Sequence, residues 1–163
     1  MRTWLDGKGI HDLIFDEHPN KVYSAKVTGT PQLKTICFDK DGDRVYKGEG
    51  TIQFTCYYPY AHSLDKLTSG KVEGDLPSDF IVTHTGTLSS GRTITVGPYS
   101  ITLINSTTDL QWDSKTGLVT GIVNGKRVPV PYTGKSYGAV PVGSSISNPL
   151  GSSGKVEFYQ WYY

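Results

Sequence analysis

The sequence predicts a mainly β chain in two parts, and three observations carry that expectation. The 163 residues include 19 Gly, 9 Pro and 11 Tyr but a single Met, a composition that favours short strands and tight turns over helices. Apolar and polar residues alternate with period two in several short runs, as in TIQFTC at 51–56. Turn pairs such as Asp41-Gly42, Ser90-Gly91 and Asn124-Gly125 punctuate those runs at hairpin distances. A compact chain of this length buries about 70% of its unfolded surface, enough for one ordinary domain or two small ones.

Taken in order, Trp4 and Leu5 open the chain, followed by Leu13, Ile14 and Phe15 and then DEHPN, where Pro19 marks a strand end or a turn. KVYSAKVTG (21–29) sets Val22, Ser24 and Lys26 on one face and Tyr23, Ala25 and Val27 on the other, a half-buried strand closed by Gly29. Asp41-Gly42 supplies the positive-φ positions of a tight hairpin, with strands near 33–39 and 43–47. The next strand turns Ile52, Phe54 and Cys56 inward and stops at Pro59, which cannot continue a ladder. SLDKLTSGKVEGDLPSD has no period, and the domain boundary is placed there, between residues 1–66 and 67–163.

Beyond the boundary, closely spaced short strands suggest a β-sandwich. Ile94, Val96, Ile101 and Leu103 form one expected inner face, and Trp112, Leu118, Ile122 and Val128 the other. The Gly/Ser-rich stretch 133–154 reads as one long surface loop. The terminal KVEFYQWYY carries large aromatics on both faces, which suits the middle of a sheet or a subunit contact.

Sixteen Lys+Arg against fifteen Asp+Glu leave a formal charge of +1 with no basic stripe, so nucleic acid is not an expected partner. The N-terminus lacks a signal-length apolar run and no stretch approaches about 18 apolar residues, so neither a secretory leader nor membrane insertion is expected. Cys37 and Cys56 match no zinc or redox spacing and read as reduced core thiols. DKDGD imitates a calcium loop, but Arg44 and Gly50 stand where the loop needs Gly and a bidentate Glu, so a hairpin turn is the better reading. His11, His18, His62 and His84 show no ligand spacing, and KGEG and VNGKR are too short for phosphate loops.

Two further patterns bear on binding and catalysis. Trp112-Asp113 beside Asn105, and Gln160-Trp161, pair a tryptophan with polar groups as sugar sites do, making Trp112 and Trp161 stacking candidates; the plainer reading puts Trp112 in the core and Trp161 in the last strand. A glycan hydrolase would need two facing carboxylates, and nothing in the spacing of Asp109, Asp113 and Glu157 selects a pair. No catalytic residue, cofactor or metal site is assigned, and the chain is read as non-enzymatic.

GEGTIQFTCYYPYAHS (48–63) resembles the segment that closes the first domain in siphovirus distal tail proteins, a phage tail-component family with a G-x-G-x-x-x-F-x-C-x-x-P-Y-A pattern. The stretch at 4–27 is similar to the part preceding it, and TTDLQWDSKTGLV, Ala139-Val140-Pro141-Val142-Gly143 and VEFYQWYY to the family's C-terminal sandwich. The resemblance implies the latter part of a β-rich ring-forming domain over 1–66 and a galectin-like β-sandwich over 67–163. Because Trp4-Leu5 arrives almost at once, the family's N-terminal belt region reads as missing, as in a fragment, a split gene product or a shortened variant. The implied role is a structural hub or adaptor in a virion tail tip or baseplate, assembled in the host cytoplasm. It would join the tail tube to the host-recognition apparatus, with other tail proteins (tube, tail-tip or receptor-binding protein) as partners. A homo-oligomer is implied, hexameric where the belt is supplied. Tyr57, Tyr58, Pro59 and Tyr60 would form the seam between the domains. The alternative is a carbohydrate-binding module that holds host cell-surface polysaccharide.

Overall fold

The chain is mainly β, and a computed structural model describes the backbone of residues 9–40 and 43–163 and the side chains of residues 9–29 and 50–163. It divides into two compact units, residues 1–61 and 62–163, where the sequence reading set the seam at 66/67. Trp4, Leu5 and the Asp41-Gly42 turn lie outside the described residues, as does the Cys37 side chain.

The first unit is an antiparallel sheet of β1 (His11–Phe15), β2 (His18–Lys40) and β3 (Asp43–Cys56), with β2 in the middle. The expected hairpin is present but longer than expected, because the runs at 21–29 and 33–39 belong to one strand. Lys40 faces Asp43 across the Asp41-Gly42 link, and the register runs from there to Ala25 opposite Cys56, with an irregularity between Thr28 and Gln32 that absorbs Gly29. Val22, Ala25 and Val27 are buried, and Phe15 meets Tyr23 edge-on at 5.6 Å. Cys56 is exposed, which corrects its reading as a core thiol: it sits at the strand's last position, where no layer covers it.

β4 (Ala61–Ser63) stands at the division, and β5 (Gly70–Lys71), β6 (Phe80–His84), β7 (Thr87–Leu88), β8 (Thr93–Val96) and β9 (Tyr99–Leu103) follow. The chain continues through β10 (Thr107–Asp113), β11 (Leu118–Val123), β12 (Lys126–Pro129), β13 (Tyr132–Lys135), β14 (Ser145–Ile146), β15 (Gly154–Phe158) and β16 (Trp161–Tyr162). A six-stranded sheet, ordered β12-β11-β10-β6-β15 with β7 beside β10, and a three-stranded sheet, β13-β9-β8, enclose one apolar core. Asn124 and Gly125, at φ 51° and 74°, make the two-residue β11–β12 hairpin that their sequence called for.

Ile94, Val96, Ile101 and Leu103 all face the core as expected. The other inner face is built differently. Trp112 is buried, but its cross-strand partner is Val119; Leu118 lies opposite Asp113 and is exposed, and Ile122 and Val128 are only half-buried. The four-residue turn at 114–117 sets this pairing and puts odd-numbered Val119 on the face of even-numbered Trp112. Leu110 and Val130 complete that face.

The stretch 133–154 is not a surface loop throughout: Val140 and Ile146 are fully buried, and Val140 exchanges both backbone hydrogen bonds with Ser78 (2.8 and 3.0 Å). The unpatterned stretch after residue 63 also contributes to the second unit, with Val72 and Ser78 fully buried. Apolar residues spaced irregularly among Gly and Ser carry no period, and nothing local separates Val72, Val140 and Ile146, which reach the core, from Leu64, Tyr137 and Val142, which stay exposed.

Candidate functional site

Alternation across three paired strands gives the six-stranded sheet two distinct faces. Trp112, Val82 and Val156 are cross-strand neighbours in one row and all face the core, so the adjacent row, Asp113, Ile81 and Glu157, faces outward. Two residues further along the same side come Asp79, just before β6, and Tyr159, just after β15, with Trp161 beyond it. Lys115, from the β10–β11 turn, and Lys66 complete the rim of a cavity of about 190 Å3.

The backbone behind this cleft is pinned. Ser78 is hydrogen-bonded to Val140 on one side and donates its hydroxyl to the Tyr159 carbonyl (2.6 Å) on the other. Phe80 N–H donates to the Ser114 hydroxyl (2.8 Å), while Ser114 N–H donates to the Phe80 carbonyl (3.0 Å). Asp79 is thus held between two anchored residues. Gln160 fixes the other wall: its side-chain oxygen accepts from the Glu73 and Gly74 amides (2.9 Å each) and its side-chain amide donates to the Lys71 carbonyl (2.8 Å).

The aromatic wall consists of Tyr159 and Trp161, edge-on to each other at 6.3 Å, and His62 packs against both, 4.7 Å from the Tyr159 ring and 5.6 Å from Trp161. His62 Nδ1 is 2.8 Å from the Ser63 carbonyl, and Lys66 Nζ stands 5.7 Å from the Tyr159 ring centre.

The three carboxylates differ in their surroundings. Asp113 caps its own turn, accepting from the Lys115 and Thr116 amides (2.9 and 3.4 Å). Glu157 is ion-paired with Lys155 at 2.8 Å, and that hydrogen bond holds its carboxyl below the usual range against the opposing effect of burial. Asp79 goes the other way: burial raises its pKa, the nearby Lys115 charge works against that rise, and Asp113 adds to it. Among the described residues no donor reaches the Asp79 carboxylate, nor does a group of three or more His, Cys, Asp or Glu gather as a metal site would require.

The structure separates the residues singled out from sequence. Trp112 is fully buried, meets Phe80 edge-on at 4.9 Å and donates its indole N–H to the Ser136 carbonyl (2.7 Å); a ring with no open face cannot stack on a sugar, so its candidacy is corrected to a core role. Trp161 lies in the cleft wall, while Gln160 beside it is buried and committed to backbone. Asp113 and Glu157 come together on the outer face, one strand to either side of Ile81. Asp109 is elsewhere, in the left-handed region at φ 51° with its carboxylate accepting from the Gly86 amide (2.8 Å). Tyr57, Tyr58, Pro59 and Tyr60 follow β3 as an exposed run. Asp79, Lys66 and Tyr159 were not singled out as site residues; only the SKTG turn at 114–117, which delivers Lys115, had a signal of its own.

The arrangement defines a small aromatic-walled cleft with hydrogen-bonding groups of both signs on the outer face of a β-sheet. Compared with protein-family models, with curated proteins and with solved structures, the chain finds no match.

Proposed function

We propose that the chain is a structural, non-enzymatic component of a phage or prophage tail tip, a hub or adaptor between the tail tube and the host-recognition apparatus. In this reading the first unit belongs to a ring-forming domain and the second is a galectin-like sandwich. The observation that carries it is the stretch 48–63, which bears the family-like pattern and leaves Tyr57, Tyr58 and Tyr60 exposed in a row. Clustered exposed tyrosines suit a subunit contact, since they offer large apolar area with a polar tip and little entropy to lose on ordering. Light scattering with negative-stain imaging tests it: a homo-oligomer or a complex with tail-tube or tail-tip protein is expected, weakened by joint Tyr57→Ser and Tyr58→Ser substitution. A strict monomer that binds neither partner overturns it.

A second reading rests on the cleft. Trp161 and Tyr159 beside unsatisfied polar groups suit a carbohydrate-binding module for host cell-surface polysaccharide. Retention of the folded chain on immobilised cell-wall polysaccharide supports it, and lack of retention on every glycan tried removes it.

A further inference from the structure

We propose that the cleft on the outer face of the six-stranded sheet takes one neutral pyranose residue, packed against Trp161, with Asp79 accepting from its hydroxyls and Lys66 and Lys115 donating to them. This rests on the carbohydrate reading and names its ligand class and the residues that read it.

Four observations converge. The cavity, about 190 Å3, holds about six waters at their liquid volume, which is the scale of a single sugar ring. Trp161 and Tyr159 line it with their rings inclined at 66°, so that a single ring, Trp161, is offered to the apolar C–H face of a pyranose while Tyr159 closes one side. The Asp79 carboxylate is partly desolvated without a donor from the protein, a costly arrangement that hydroxyl groups relieve. The charges at the cleft also balance. Glu157 is already paired with Lys155, and what remains is Asp79 and Asp113 against Lys66 and Lys115. An anionic ligand meets the two aspartates and a cationic one the two ammonium groups, whereas a neutral polyol uses both, because each hydroxyl donates and accepts.

The pinned backbone makes this a preformed site. Asp79 sits between residues anchored to Val140, Tyr159 and Ser114, and Gln160 locks the segment that carries Tyr159 and Trp161. Little ordering is left for the ligand to impose.

The test titrates the full chain with methyl glucopyranoside, methyl galactopyranoside and N-acetylglucosamine as neutral probes, glucuronic acid as anionic and glucosamine as cationic, following the indole N–H resonances. A neutral sugar is expected to move the Trp161 signal and leave that of Trp112 in place. Asp79→Asn, nearly isosteric, is expected to weaken binding about tenfold or more, the worth of a hydrogen bond to a charged acceptor. Trp161→Ala is expected to remove binding, and Trp161→Phe to retain part of it, with circular dichroism showing each variant folded. Preference for the anionic or cationic sugar, or unchanged affinity in Asp79→Asn, overturns this inference and leaves the carbohydrate reading standing. Failure of every sugar to bind, with the Trp161 signal instead moved by a lysine-rich peptide, overturns both.

Discussion

The two units hold themselves together by different means. In the second, a continuous apolar cluster reaches from Val72 to Phe158 and draws on both sheets, with Trp112, Phe80 and Phe158 as its largest members. In the first, the described side chains bury little: Val22, Ala25 and Val27 are covered, while Ile52 and Phe54 are half-open and Cys56 is exposed. Its described order lies in the backbone pairing of β2 with β1 and with β3. Among the described residues, one chain thus combines a unit with a continuous core and one in which backbone pairing outweighs side-chain burial. The same substitution chemistry should therefore weigh very differently in each.

The largest expected effect is in the second unit. Trp112→Ala removes the biggest buried side chain and leaves the Ser136 carbonyl without its indole donor, so a loss of about 3–5 kcal/mol is expected in urea unfolding. The matched truncation in the first unit, Phe54→Ala, removes a half-exposed ring and should cost about 1 kcal/mol. Equal losses would break the comparison.

Gln160→Ala comes next. Three backbone groups, the Glu73 and Gly74 amides and the Lys71 carbonyl, lose their partner together at a side chain only 5% exposed. A loss of about 2–3 kcal/mol is expected, since water reaches some of what is left unpaired. Thermal unfolding measures it, and a loss within error would mean that packing and the backbone bonds of Gln160 and Trp161 to Ser63, Asp75 and Leu76 hold the segment without the Gln160 side chain.

How much of this was legible depends on what kind of signal each residue sends. Ile94, Val96, Ile101 and Leu103 announced their face because period two survives a two-residue turn such as Gly97-Pro98, which pairs Val96 with Tyr99. Leu118 and Ile122 misled because a turn of even length pairs even positions with odd ones, as it does Val96 with Tyr99, so the 114–117 turn sets Val119 and not Leu118 beside Trp112. Val140 and Ile146 were unreadable in a Gly/Ser-rich stretch, where burial comes from distant partners and leaves no local period. The cleft follows the same logic. Trp161 could be named from its type, but Asp79, Asp113 and Glu157 are 34 and 44 residues apart in sequence and become neighbours only through the pairing of β6 with β10 and β15. Carboxylate identity is visible in a sequence; the donor that a carboxylate lacks is not.

Asp79 gives a smaller prediction with a definite sign. Its pKa is raised in the folded chain, so folding binds its proton more tightly than the unfolded chain does. The stability it contributes is therefore fully present below its ordinary value of 3.8 and declines as pH rises through the raised folded value. At neutral pH the ionised carboxylate opposes folding, and Asp79→Asn should raise Tm slightly, with the difference shrinking as pH falls toward that ordinary value. A variant less stable than the parent at neutral pH would mean that Asp79 has a partner that compensates its burial. Stabilisation joined to weakened sugar binding would mark a group kept for recognition and not for folding.

The smallest expected effect returns to the first unit. Cys56 ends β3 opposite Ala25, and its side chain is exposed, so Cys56→Ser removes a thiol that packs against little. A change within about 0.5 kcal/mol is expected, as for surface positions generally. The same exposure predicts that a thiol reagent, mapped by mass spectrometry, labels Cys56 in the dilute native protein about as fast as in denaturant. A protected thiol, or a Cys56→Ser variant that loses as much as Gln160→Ala does, would show a covered layer over the ladder. The contrast between a core-built and a ladder-built unit would then fail at the strand end where it is easiest to measure.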